Sequence, residues 1–169
     1  MEQKINNEEE KKNWKNNLWV KHKFKFYIFF GLFILSTIGY QFFQMQIDKK
    51  NELISEQYIK AGLYLASKKE IESKKILEEI INSKNKFYSQ LALSIILEKK
   101  LETNSKKILD YFETVEKLQN KKEQKDLIVL KKALYLIKIS QIKEGNKLLK
   151  KIVETNSSLK LIAEELLEN

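Results

Sequence analysis

The chain has 169 residues, 43% of them hydrophobic, with 32 basic residues against 23 acidic ones and a formal net charge of +9. The absence of Cys and Pro rules out a disulfide scaffold and a thiolate metal site, and the length suits a single small domain. Every basic residue is Lys, and there are only four Gly and one His (His22), so guanidinium clamps, phosphate loops and imidazole bases are scarce; this argues against an enzyme, a cofactor, a small-molecule substrate and a specific nucleic-acid partner.

Residues 1–25 read as a basic cytoplasmic tail. Glu8-Glu9-Glu10 has the character of a solvated terminus, with an acidic docking tail as the sharper alternative. Lys11, Lys12, Lys15, Lys21, Lys23 and Lys25 follow with no further acidic residue. Trp14 and Trp19 lie among them, and indoles beside ammonium groups favour the headgroup layer, so Trp14, Trp19, Lys21, Lys23 and Lys25 are candidate membrane-interface anchors. His22 belongs to the same layer; with no Cys and no second His, a metal site is not expected there.

Between Lys25 and Asp48 stand 22 consecutive residues without a charge. About 20 helical residues cross the hydrocarbon core of a bilayer, so residues 26–47 are expected to form one transmembrane helix. A buried core helix is the competing reading, but Ser36, Thr37 and Gln41 are too few to make the polar stripe it would show. A cleavable signal peptide is the other alternative. Its exit site would be Thr37-Ile38-Gly39, inside the apolar stretch, so an uncleaved signal-anchor fits better. Lysines crowd the amino-terminal flank, whereas Asp48, Lys49, Lys50, Glu52 and Glu56 on the other side carry a slight acidic excess. The positive-inside bias places the amino terminus in the cytoplasm and the carboxyl-terminal bulk across the membrane.

Residues 48–169 contain no Pro and only Gly62 and Gly145, and their composition is helix-forming throughout. Tyr58, Ile59, Gly62, Leu63, Leu65 and Ala66 suggest the apolar stripe of a first helix, and Ile76, Leu77, Ile80 and Ile81 that of a second. Further helices are expected over Phe87–Leu97, Ile108–Leu118, Leu127–Ile139, Ile142–Val153 and Leu159–Leu167, separated by polar breaks at Asn82-Ser83, Thr103-Asn104-Ser105 and Thr155–Ser158. Lys117–Asp126 reads as a solvated turn region.

An alanine recurs in the first helix of each pair at Ala61, Ala92 and Ala133, with a fourth at Ala163. An aliphatic pair recurs in the second helix, ending at Leu77, Leu109 and Leu149, that is 16, 17 and 16 positions after the alanine. A small residue that admits a neighbouring helix, followed at near-constant offset by groove-filling aliphatics, suits stacked helical hairpins. The expected fold is therefore all-α: a transmembrane helix followed by a tetratricopeptide-like stack, with an irregular antiparallel bundle as the alternative. The repeat's usual Trp, Gly-x-x-Tyr and terminating Pro are missing.

The order of parts, with Phe87-Tyr88-Ser89-Gln90-Leu91-Ala92-Leu93, Lys132-Ala133-Leu134-Tyr135-Leu136 and the ending Leu161–Leu167, resembles the bacterial single-pass tetratricopeptide-like family of ancillary Sec translocon subunits. The resemblance implies an inner-membrane protein whose periplasmic domain engages translocon subunits, exported clients or periplasmic chaperones; it carries over no catalytic residues. A self-associating scaffold of an envelope complex for division or secretion is the second functional expectation. Helical repeats bind along the face made by their first helices, so Tyr64, Tyr88 and Tyr135 are the candidate peptide-binding residues. Packing between hairpins is the simpler role for any one of them, and Phe87, Phe112 and Tyr135 are the residues most simply assigned to the core.

Overall fold

The computed structural model describes the backbone of residues 2–168 and the side chains of Lys23, Lys25 and residues 27–168. Seven α-helices run in order: α1 Glu2–Ala66, α2 Glu70–Asn82, α3 Lys86–Glu98, α4 Ser105–Leu118, α5 Lys122–Lys138, α6 Ile142–Glu154 and α7 Lys160–Glu168; there is no strand among the described residues. The chain divides into two compact units, residues 1–49 and residues 50–169.

In the first unit, α1 carries a stretch from Tyr27 onward that is long and apolar enough to cross a membrane. None of that apolar window is buried by the rest of the chain, and Tyr27, Phe29 and Leu35 are each about two-thirds exposed. This removes the core-helix alternative, because a core helix would be covered. Some of its polar groups bond within the helix: the Thr37 hydroxyl donates to the Ile34 carbonyl at 2.8 Å and the Gln44 amide donates to the Tyr40 hydroxyl at 2.9 Å. A hydroxyl or amide that finds its partner within its own helix meets a hydrocarbon surrounding at little cost. The helix does not end at residue 47, since α1 continues to Ala66.

In the second unit, consecutive helices from α2 to α7 pack against one another, and α2 also touches α4. The last part of α1 joins them through Ile54 and Ala61, which lie in one core cluster with Leu77, Ile80, Leu93, Ile96 and Phe112. A second cluster holds Val129, Leu130, Ala133, Leu149, Ile152 and Ala163. All four recurring alanines have zero exposure. Of the aliphatic pairs in the second helices, Leu77 and Leu149 are fully covered and Ile108 is 3% exposed, while Leu109 is only half-buried. The buried residue of the middle pair is thus Ile108 rather than Leu109. The offset becomes 16 in all three pairs: 77 less 61, 108 less 92, 149 less 133.

A second small residue follows each of two alanines at 12 positions, in the first turn of the partner helix. Ser73, fully buried on α2, donates its hydroxyl to the Ala61 carbonyl at 2.9 Å. Gly145 on α6 is buried too, and a Cβ built there would stand 2.9 Å from the Ala133 carbonyl oxygen and 2.6 Å from Ile137 Cγ1. At Gly145 the helices are too close for any Cβ, whereas at Ser73 the hydroxyl bridges to the alanine carbonyl.

Three local expectations need correction. Residues Lys122–Asp126 form the first turns of α5 rather than a solvated turn; their polarity hides good helix propensity, and Lys122 pairs with Asp126 at 2.8 Å across i, i+4. On α1 the buried residues are Ile54 and Ala61, with Tyr58, Tyr64 and Leu65 half-buried, whereas Ile59 and Leu63 are exposed. The apolar stripe assigned to this helix is therefore only partly the packed one. Phe87, assigned to the core, is 64% exposed at the start of α3 and lies edge-on against Tyr88, with ring centroids 5.1 Å apart.

Candidate functional site

The most elaborate polar arrangement joins α2, the α3–α4 turn and α4. Glu102 is nearly buried in that turn. One carboxylate oxygen accepts from the backbone N–H groups of Thr103 and Asn104, both at 2.8 Å, so the side chain closes its own turn. The other oxygen meets Lys74 at 2.8 Å and Lys107 at 3.5 Å. Next to it, Glu78 accepts from Lys107 and from the Tyr111 hydroxyl, each at 2.8 Å. A buried carboxylate is costly unless it is well paired, and here each oxygen of Glu102 faces two donors.

The electrostatics follow from these partners. The Lys74 hydrogen bond, helped by the Asn104 and Thr103 N–H groups and opposed by burial, holds Glu102 down at about 2. Burial, reinforced by the hydrogen bond to Glu78, pushes the Tyr111 phenol up to about 12. Lys107 is raised by its bond to Glu78 and stays charged. The cluster is a fixed, charge-balanced clasp that pins the α3–α4 turn to α2.

That turn forms one wall of an open groove of about 540 Å³ between α3, α4 and α5. Ile96, Leu97 and Ile108 make the apolar base on the α3 and α4 sides. Lys131, Leu134, Tyr135 and Lys138 line it from α5 at i, i+3, i+4 and i+7, the spacing of a single helix face. Lys100 and Thr103 stand at the turn. Lys131 donates to the Ser94 hydroxyl at 3.0 Å, which leans it across toward α3. None of Lys100, Lys131 and Lys138 has a carboxylate partner among the described residues, whereas Glu102 is fully occupied by its own clasp. The groove therefore offers an apolar floor with a net positive rim. A smaller hollow of about 290 Å³ lies between α6 and α7, with Val153 and Leu167 among Lys150, Glu154, Glu164 and Glu168.

The three candidate tyrosines sit in different surroundings. Tyr64 is half-buried near the end of α1, with the ammonium groups of Lys60 and Lys69 5.8 and 5.9 Å from its ring centroid. Tyr88 packs onto Tyr58 of α1 at 5.7 Å between ring centroids. Tyr135 leans on fully buried Phe112 at 5.9 Å and lines the groove. No two of the three rings contact each other among the described residues. The side chains of Trp14, Trp19, Lys21 and His22 lie outside the described residues; Lys23 and Lys25 are exposed on α1.

Sequence reasoning missed Glu102, the fully buried Ser73 and Ser89, and the groove lysines. Ser89 on α3 is fully buried and donates to the carbonyls of Ile80 and Ile81 at 3.1 and 3.3 Å, closing the end of α2. A signal existed for Ser73, since its 12-position offset from Ala61 matches that of Gly145 from Ala133. No such regularity marks Lys131 or Lys138 among 32 lysines. Among the described residues no group of three or more His, Asp or Glu is placed to hold a metal ion. No family model, no curated protein and no solved structure matches this chain.

Proposed function

We propose that the protein is a membrane-tethered protein-interaction module, with α1 as an uncleaved anchor and the second unit as the part that engages partners. The observation that carries this reading is the open, lysine-rimmed apolar groove on a helical unit whose first helix is continuous with an exposed apolar stretch. A tether confines such a groove to the membrane surface and raises its effective concentration for partners there. The polar groups of the groove serve packing or carry positive charge, without the convergent nucleophile, base and acid that chemistry needs.

The finer architecture we propose is a tetratricopeptide-like stack, α1–α2, α3–α4 and α5–α6 being hairpins and α7 the closing helix. Support comes from the constant 16-position offset between buried alanine and aliphatic residues, and from the repeated close approach at Ser73 and Gly145. Together with the likeness to ancillary Sec translocon subunits, this favours a bacterial inner-membrane protein. Its amino terminus is cytoplasmic and its helical domain periplasmic, working on exported chains or periplasmic chaperones. A self-associating envelope scaffold is the second reading, favoured by Leu53, Ile59 and Leu63, three large aliphatics exposed on the last turns of α1.

Two measurements test the proposal. A compartment-sensitive reporter fused after Asn169 is expected to be active only outside the cytoplasm, and neutralising Lys11, Lys12, Lys15, Lys21, Lys23 and Lys25 is expected to weaken that orientation. Crosslinking in native membranes followed by affinity capture is expected to recover channel subunits, exported chains or chaperones. Recovery of self-links alone moves the assignment to the scaffold, and a cytoplasmic carboxyl terminus removes the translocon assignment.

A further inference from the structure

We infer that the α3–α5 groove binds an extended acidic peptide segment whose two carboxylates lie four residues apart and flank an apolar side chain. The inference rests on the interaction-module reading and adds the chemistry of the partner.

Charge and shape supply the first part. Lys100, Lys131 and Lys138 line one groove, and none has a carboxylate partner among the described residues. The one acidic side chain in the groove wall, Glu102, already accepts from two backbone N–H groups and pairs with Lys74 and Lys107. A negative partner therefore meets uncompensated positive charge, which favours its approach and its register.

Distance supplies the second part. Lys131 and Lys138 are seven residues apart on α5, so they share a face and lie about 10.5 Å apart along the helix axis. Flexible lysine side chains can both reach a single phosphate or headgroup, but such an anion leaves the apolar surface between them uncovered. In an extended chain alternate side chains share a face and each residue advances about 3.2–3.4 Å, so carboxylates four residues apart point the same way and span about 13–14 Å, a separation that flexible lysine side chains can meet. Between the two lysines the same face of α5 presents Leu134 and Tyr135, with Leu97 opposite on α3. Leu134 is 41% exposed, an apolar floor that a free anion would leave uncovered and a peptide side chain would fill.

The experiment uses the full chain in a neutral detergent. The probe is a fluorescein-labelled heptapeptide, Ser-Glu-Ser-Leu-Ser-Glu-Ser, whose glutamates are four residues apart on one face with the leucine midway between them, followed by fluorescence anisotropy. Controls carry glutamine for both glutamates, or place the two glutamates next to each other. The acidic probe is expected to bind, to weaken as salt is raised, and to bind about tenfold or more tightly than either control. Combined K100Q, K131Q and K138Q substitution is expected to weaken the probe by about tenfold or more with an unchanged circular dichroism spectrum, and L134S to weaken it while leaving the salt dependence in place.

Equal binding of the probe by wild type and the triple variant overturns the inference, as does equal binding of the glutamine control. So does the absence of probe binding combined with lysine-dependent binding to vesicles containing phosphatidylglycerol, which assigns the rim to lipid. Capture of exported chains in native membranes separates the two levels. A wild-type chain that captures clients yet ignores the probe loses the groove chemistry and keeps the module. One that binds the probe yet captures nothing in membranes keeps the groove chemistry and loses the assigned role.

Discussion

Five turns between helices put a non-glycine residue into left-handed backbone: Lys68, Lys84, Lys100, Ser140 and Asn156, with φ between 50° and 65°. Around four of them the hydrogen bonds follow one scheme. Lys69, Leu101, Gln141 and Ser157 donate back to Tyr64, Ile96, Leu136 and Ile152, while the left-handed residue donates to the carbonyl three positions earlier. This is the arrangement in which glycine is normally found, and a lysine there carries the strain of its Cβ against the backbone. K68G is therefore expected to raise stability by up to about 1 kcal/mol in chemical denaturation, since Lys68 is exposed and touches neither a core cluster nor the groove. A loss of stability would mean that the turn is held by something other than this backbone geometry. Glu102 yields a prediction of opposite character. Its carboxyl sits at about 2 in the folded chain against an ordinary 4.5, so it contributes stability above the ordinary value, and that contribution disappears as pH falls from about 4.5 to about 2. E102Q is expected to lower stability by about 1–3 kcal/mol at pH 7 and to flatten the acid limb of the melting-temperature profile. An unchanged limb would place the acid sensitivity in other carboxylates.

Among the helices, the ends are set by different devices. Asn85 caps α3 by accepting from the N–H groups of Phe87 and Tyr88, and Asn104 caps α4 by accepting from that of Lys107. Helices α2, α5 and α6 have no side-chain cap and rely on acidic residues in the first turn, at Glu70, Glu72, Glu123 and Glu144. What fixes α2 against α1 and α6 against α5 is closeness at the alanine. G145A places a methyl group 2.9 Å from a backbone oxygen of α5, which cannot move aside as a flexible side chain could. It is expected to cost about 1–3 kcal/mol, and A92W or A133W at least as much. Melting temperatures equal to wild type in all three variants would remove the close-approach account of the hairpins.

At the scale of the whole chain, the two compact units have opposite solvation. One is a helix whose large apolar side chains are exposed, and the other buries its alanines and aliphatics in two clusters while keeping lysines outside. Residues 50–169 are accordingly expected to be soluble and highly helical when expressed alone, whereas any chain retaining residues 27–47 needs detergent or lipid. Circular dichroism and size-exclusion chromatography of the shortened protein check this. Aggregation would mean that the exposed Leu53, Ile59 and Leu63 require cover.

The sequence by itself determined the apolar window, the helical class and the recurrence of small and aliphatic residues, because each is a local pattern read along one helix at a period of 3.6. It also pointed to the capping break before α4, since Asn104 acts on its own neighbour. Only the tertiary structure decided that Ile108 rather than Leu109 fills the middle hairpin, that Ile59, Leu63 and Phe87 are exposed, and that Lys122–Asp126 is helix. It alone brought Glu102 to Lys74 and Lys107, and set Lys100, Lys131 and Lys138 around one groove. These outcomes depend on the rotation and register of helices separated by tens of residues. A lysine's neighbours across such a gap leave no trace in its own stretch of chain, so in a sequence with 32 lysines the few that matter became visible only once the helices were packed.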